Sequence, residues 1–148
     1  MFIGEYHHTL DAKNRIIIPA KLRNELGTTF IVTKGMDGCL YIYTNEQWNK
    51  KLNDLVKLPQ TKKEARMYIR QFTSKACECE CDNQGRIQLP GILKDEAKLV
   101  KNCVIVGAIE HVEIWNEDLW KEYEAMADES FEDIAESLTE YLLSLIHI

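Results

Sequence analysis

Asp11-Ala12-Lys13-Asn14-Arg15-Ile16-Ile17-Ile18-Pro19 returns, from Asp82 onward, as Asp82-Asn83-Gln84-Gly85-Arg86-Ile87-Gln88-Leu89-Pro90. Both copies keep the order Asp, Arg four residues on, Pro four further on. Downstream the offset grows by one residue: Gly35 matches Gly107, Ile42 matches Ile114 and Trp48 matches Trp120. The chain is therefore an internal repeat. Each half is one structural unit that needs the other to cover its apolar face.

Within each copy the residues dictate the same local plan. Asp11 and Asp82 open turns, since a short carboxylate accepts hydrogen bonds from backbone N–H groups just downstream. Asn14 and Gly85 close those turns, and both tolerate a positive φ. Arg15–Ile18 and 86–89 are apolar and β-branched enough for strands. Pro19 and Pro90 suit the start of a helix, where a missing N–H costs nothing. Ala20–Leu26 forms that helix in the first copy, with Gly27 ending it.

The remaining elements follow from similar signals. Strands are predicted at Tyr6–Leu10, Thr29–Lys34, Cys39–Tyr43, 76–81, 103–106 and 111–115. Thr44 with Gln47 reads as a capping box opening a helix from Asn45 to Leu58, which Pro59 stops. Thr61 with Glu64 reads as a second box, opening a helix through Phe72. The second copy continues with a helix over 90–98, and Asn116 opens a helix bearing Leu119, Trp120 and Tyr123. Ser130 begins a last amphipathic helix with Phe131, Ile134, Leu138 and Leu142 on one stripe. The terminal Ser144–Ile148 has neither a cap nor a polar face. Each half is thus ββαββ plus helix, an α+β fold that is mainly β. Four short strands leave open edges, so the two halves are expected to pair into one small closed barrel.

The 148 residues include 45% hydrophobic and 28% charged side chains, ordinary for a globular protein. No basic stretch leads into an apolar one at the N-terminus, and no apolar run reaches membrane-spanning length, so a cytoplasmic protein without a membrane is expected. The net charge of −6 conceals an asymmetry: residues 1–75 hold 13 Lys+Arg against 7 Asp+Glu, and residues 76–148 hold 5 against 17. Such halves suggest one side that faces a polyanion. They also suggest head-to-tail attraction between subunits.

Enzyme signatures are missing: the chain has no GxSxG, P-loop, GxGxxG or HExxH. His7 and His8 alternate on a strand and face opposite ways. Cys39 and Cys103 lie in apolar strands, which favours inert thiols. Cys77, Cys79 and Cys81 alternate with Glu78 and Glu80, placing three thiols on one face, read as a buried core face rather than a metal or redox site. No cofactor or metal is expected. The basic residues are more pointed. Lys13 and Arg15 flank the first turn, and Lys21 and Arg23 lie on the helix after it. The second copy retains Arg86 and Lys94. Turn-held cations beside a helix start suit phosphate, and an arginine there is also placed to read guanine. The competing reading is that Arg15 and Arg86 pair with Asp11 and Asp82 as a structural brace.

The doubled motif, together with Phe2-Ile3-Gly4-Glu5-Tyr6, Arg23 and Trp115, resembles the MraZ family over nearly the whole chain. Asn14 is one departure, at a position where the family usually carries Gly. The resemblance implies two AbrB-like swapped-hairpin repeats (5–47 and 76–119) in a pseudo-two-fold, double-psi-like barrel, with a helical connector (48–75) and a C-terminal helical tail (120–148). It implies a sequence-specific DNA-binding regulator of bacterial transcription, associated with the nucleoid. Such a regulator would repress the promoter of its own division and cell-wall operon and assemble into rings on direct repeats in duplex DNA. By position Arg15 and Arg86 inherit the DNA contacts, with Lys13, Lys21, Arg23 and Lys94 around them. Asp11, Asn14, Pro19, Asp82, Gly85 and Pro90 shape the turns. The alternative from another class is a ring-forming scaffold whose basic turn binds an acidic protein. A third is a small enzyme using Asp11 or a cysteine.

Overall fold

The structure, a computed structural model, describes residues 1–146, with side chains as far as Ser144. In chain order its elements are β1 (Glu5–Thr9), β2 (Arg15–Ile17), α1 (Ala20–Leu26), β3 (Thr29–Lys34), β4 (Leu40–Thr44), α2 (Asn45–Leu55) and α3 (Lys63–Ser74). Then come β5 (Cys77–Glu80), β6 (Arg86–Gln88), α4 (Gly91–Glu96), β7 (Asn102–Gly107), β8 (Val112–Asn116), α5 (Glu117–Glu129), α6 (Phe131–Ser137) and α7 (Thr139–Ile146). They form two compact units, Met1–Glu117 and Asp118–Ile148.

In the first unit an antiparallel sheet runs in the order β1-β7-β8-β4-β3-β5, and β2 pairs with β6 as a separate ribbon. Exchanging the repeats turns β1 into β5, β3 into β7 and β4 into β8, and the order maps onto itself reversed. The two repeats complete each other: β1 of the first pairs with β7 of the second, and β5 of the second pairs with β3 of the first. Neither half could satisfy its strand edges alone.

The fold is α+β, as expected, but the ladder does not close into a barrel. β1 and β5 remain as edges, and β2 and β6 are hydrogen-bonded to each other as a sheet apart. The reason lies in the ribbon strands. Each has three residues, and the residue after it, Ile18 or Leu89, bonds to the turn of the other repeat before Pro19 or Pro90 leads into a helix, so the ribbon pairs with itself. Exposed Glu78 and Glu80 blunt the β5 edge. The core is nonetheless continuous across both sheets. Ile16, Ile18, Ile87 and Leu89 from the ribbon region are buried with Phe30, Val32, Ile42, Ile105 and Ile114 from the large sheet.

Between the repeats, α2 and α3 carry a second small cluster, in which Tyr43, Leu55 and Phe72 are buried and Trp48 packs beside them. The first capping box is present: Gln47 N–H donates to Thr44 Oγ1 at 3.0 Å. The second is not. α3 starts after Lys62, whose side chain caps nothing. Thr61 instead lies in a turn closed by Lys62 N–H to Pro59 O.

In the second unit the single helix expected after Ser130 is two, α6 and α7, broken at Leu138. Hydroxyls compete with the helix ladder there: Ser137 Oγ donates to Ile134 O and Thr139 Oγ1 to Ala135 O. The expected stripe survives as an open apolar groove containing Phe131, Ile134, Leu138 and Leu142. Residues 118–148 hold one Lys against nine Asp+Glu, so this segment is strongly acidic. α7 takes in Ser144 through Ile146, and the end of that last stretch lies outside the described residues. No helix among the described residues is long and apolar enough to cross a membrane.

Candidate nucleic-acid interface

The two repeated turns are near-copies. Asp11 Oδ1 accepts from the N–H groups of Lys13 (2.9 Å) and Arg15 (2.8 Å), and its Oδ2 accepts from Arg15 Nε at 2.7 Å. Asp82 Oδ1 accepts from Gln84 and Arg86 N–H, and its Oδ2 from Arg86 Nε, each at 2.9 Å. Asn14 and Gly85 take φ values of 60° and 77°, the left-handed region that a turn of this shape requires. Backbone N–H bonds, foremost those from Arg15 and Arg86, hold the Asp11 and Asp82 carboxyls below the usual carboxylate range.

The brace between each arginine and its aspartate is therefore real. It engages Nε alone, so it orients the guanidinium without consuming its other N–H donors. Brace and ligand contact are compatible roles for one side chain.

The ribbon decides where these side chains go. Arg15 stands opposite Gln88, Ile16 opposite Ile87, and Ile17 opposite Arg86. Ile16 and Ile87 are fully buried. Alternation along a strand then puts Arg15, Ile17, Arg86 and Gln88 on the outward face. The two arginines sit diagonally across it, about 7–8 Å apart at this kind of pairing. Arg15, Arg86 and Gln88 line one depression of about 450 Å³ together with residues 77–81, including the acidic Glu78 and Glu80, and Asp82.

Cross-repeat hydrogen bonds lock the turns together. Ile18 N–H donates to Gly85 O (2.9 Å), Leu89 N–H to Asn14 O (2.8 Å) and Gln88 Nε2 to Lys13 O (3.0 Å). Arg23, expected to support Arg15, lies instead against the other turn: its Nη1 fills the space beside the Cα of Gly85. The cause is the exchange of strands, which sets a helix of one repeat over the turn of the other. Lys13 and Lys21 are exposed, and Lys94 is half-buried at the α4 position matching Arg23. Ile17 and Gln88 share the outward face of the ribbon with the two arginines. Their signal was available in the period-two spacing from Arg15 and Arg86.

Burial disfavours the thiolate form at the three buried cysteines. Burial pushes Cys103 up to about 11 and Cys79 up to about 12, and raises Cys39 as well. Only Cys79 of the alternating three is buried; Cys77 and Cys81 are half-exposed, because β5 is an edge strand. Among the described residues no group of His, Cys, Asp and Glu is arranged to hold a metal ion. His7 and His8 face opposite ways, and His7 lies 2.9 Å from Glu5 and 3.4 Å from Glu117, which raise its pKa. The positive excess of the first half is concentrated in residues 45–75, where 8 Lys+Arg face 3 Asp+Glu, rather than at the turns.

A family model described as "MraZ protein, putative antitoxin-like" matches twice, over residues 1–71 and 72–141. The chain belongs to the MraZ family. The boundary between the two matches falls inside α3, so each MraZ segment contains one braced turn and one strand of the ribbon. Transcriptional regulator MraZ of Ligilactobacillus salivarius is 53% identical over 141 residues, covering 95% of this chain and 99% of that protein. The MraZ regulator of Thermoanaerobacter pseudethanolicus is 49% identical, covering 95% and 98%. That of Lactiplantibacillus plantarum is 48% identical, covering 95% and 100%. Each of these MraZ relatives is a transcriptional regulator by name.

Proposed function

We propose that this chain is a DNA-binding transcriptional regulator that reads duplex DNA through the outward face of the β2–β6 ribbon and its two braced turns. The observation that carries the reading is the pair Arg15 and Arg86, held diagonally on one face by Asp11 and Asp82. A two-stranded ribbon fits the major groove, and a guanidinium is the commonest specific reader of guanine. Lys13, Lys21, Arg23 and Lys94 act on phosphates. Asn14, Pro19, Gly85 and Pro90 shape the scaffold that presents them.

The finer reading is a repressor of the promoter of its own division and cell-wall operon, cytoplasmic and bound to the nucleoid. It acts as a homo-oligomeric ring that sets several ribbons on several direct repeats. Residues 5–47 and 76–119 serve as AbrB-like swapped-hairpin repeats, 48–75 as connector and 120–148 as tail. The exchange of β1 and β5 between repeats supports that division.

The test is a gel-shift titration on the DNA upstream of the gene at several salt concentrations. Phosphate contacts release counterions, so affinity falls steeply as salt rises. A second reading, a scaffold whose basic turn takes an acidic protein, draws on the antitoxin-like family description. No salt-dependent duplex binding, with binding to an acidic protein instead, would favour it.

A further inference from the structure

The pseudo-two-fold that relates the repeats leaves the ribbon asymmetric at one pair of positions. It carries Arg15 onto Arg86 and Ile17 onto Gln88. The outward face thus consists of two cross-strand pairs, Arg15 with Gln88 and Arg86 with Ile17, alike in the arginine and different in its neighbour.

The two neighbours differ in chemistry. Gln88 is exposed, and its Nε2 is pinned by Lys13 O at 3.0 Å. One amide N–H and the Oε1 acceptor are left over, the donor and acceptor pair that adenine N7 and N6 require. Ile17 has no group to reach the matching carbonyl. It is 41% exposed, outside the buried core, and sits on an otherwise polar face. An aliphatic side chain among base readers suits the C5-methyl of thymine.

We infer that Ile17 and Gln88 are the specificity-determining residues of this surface and make its site non-palindromic. Gln88 selects an adenine beside the base read by Arg15, and Ile17 selects a thymine methyl beside the base read by Arg86. The inference rests on the DNA-binding reading above.

Selection of sites from a randomised duplex pool, with the full chain and its variants, tests it. Ile17→Gln makes the two pairs chemically alike and should change the base preference at one position by about tenfold. The salt slope should not move. Gln88→Ile should change a different position by a similar factor. The sharpest readout replaces thymine by uracil at the selected position, which removes only the methyl. The parent should lose about fourfold in affinity, the worth of one buried methyl group. Ile17→Ala, a truncation of an exposed side chain with little risk to folding, should be indifferent to that change. Sequence preference unaltered by all three variants, with thymine and uracil bound alike, overturns the inference and leaves the DNA-binding reading standing. A parent with no salt-dependent duplex binding overturns both.

Discussion

Arg23 Nη1 occupies the space that a Cβ on Gly85 would need. A helix residue of the first repeat is thereby fitted against the turn of the second. On the first turn residue 14 carries a side chain, and α4 presents Lys94 in place of an arginine. This relationship separates two positions that share a positive φ.

Gly85→Ala should therefore cost backbone strain and push aside the flexible end of Arg23. The φ of 77° already penalises a side chain, by about 1–3 kcal/mol for a position of this kind, and the new Cβ must also displace the Arg23 guanidinium. Asn14→Gly should leave the melting temperature equal or higher, and Asn14→Val should lower it, because a β-branched side chain is poorly accommodated there. Thermal unfolding of the three variants tests this. A Gly85→Ala protein as stable as the parent would show that the turn places no demand on residue 85.

Arg15→Ala should weaken DNA binding by about 1–3 kcal/mol per subunit. The sequence alone favours a smaller loss for Arg86→Ala, since three cations cluster near Arg15. With Arg23 seated at the second turn the two losses should be comparable, and Arg23→Ala should weaken binding too. Gel shifts with folded variants decide the matter. A folded Arg15→Ala protein that binds as well as the parent contradicts the role given to the ribbon.

The turn carboxyls should make the protein sensitive to acid. Asp11 and Asp82 have folded pKa values below their unfolded ones. Their contribution is present above the unfolded value, about 3.9, and is lost as pH falls through the folded value. Melting temperature should accordingly drop on the acid side of about pH 4. The double variant Asp11→Asn, Asp82→Asn should be less stable at neutral pH and show a flatter acid limb. An unchanged acid limb would mean that other carboxylates set the acid response.

Ile16 and Ile87 face each other at the centre of the ribbon and are fully buried. Either one replaced by Ala should cost about 2–5 kcal/mol. Denaturant titration measures it, and a cost below about 1 kcal/mol would show that the ribbon is peripheral to the core.

Charge should guide assembly. A first half with 13 basic against 7 acidic residues and a second with 5 against 17 should attract head to tail between subunits, a contact that closes into a ring when the rotation permits. Apolar contact would supply most of the affinity and electrostatics the orientation. Light scattering across a salt series should show an oligomer that loosens without unfolding. A monomer at every salt concentration removes the ring and the multivalent DNA binding that depends on it.

By itself the sequence determined the local plan. The spacing of Asp, Asn or Gly, Arg and Pro specifies a turn, a strand and a helix start within nine residues. These are short-range matters of φ preference, of hydrogen bonds to a carboxylate and of a missing N–H, and the structure has each of them. It also marked Arg15 and Arg86 as matching positions, because the motif is doubled. The tertiary structure alone decided which repeat each strand would pair with, that the ladder would stay open, that Arg23 would serve the other turn and that Gln88 would bond to Lys13. Each depends on register between segments far apart in the chain. A period-two pattern states which residues share a face; what stands opposite that face is settled only when the strands pair.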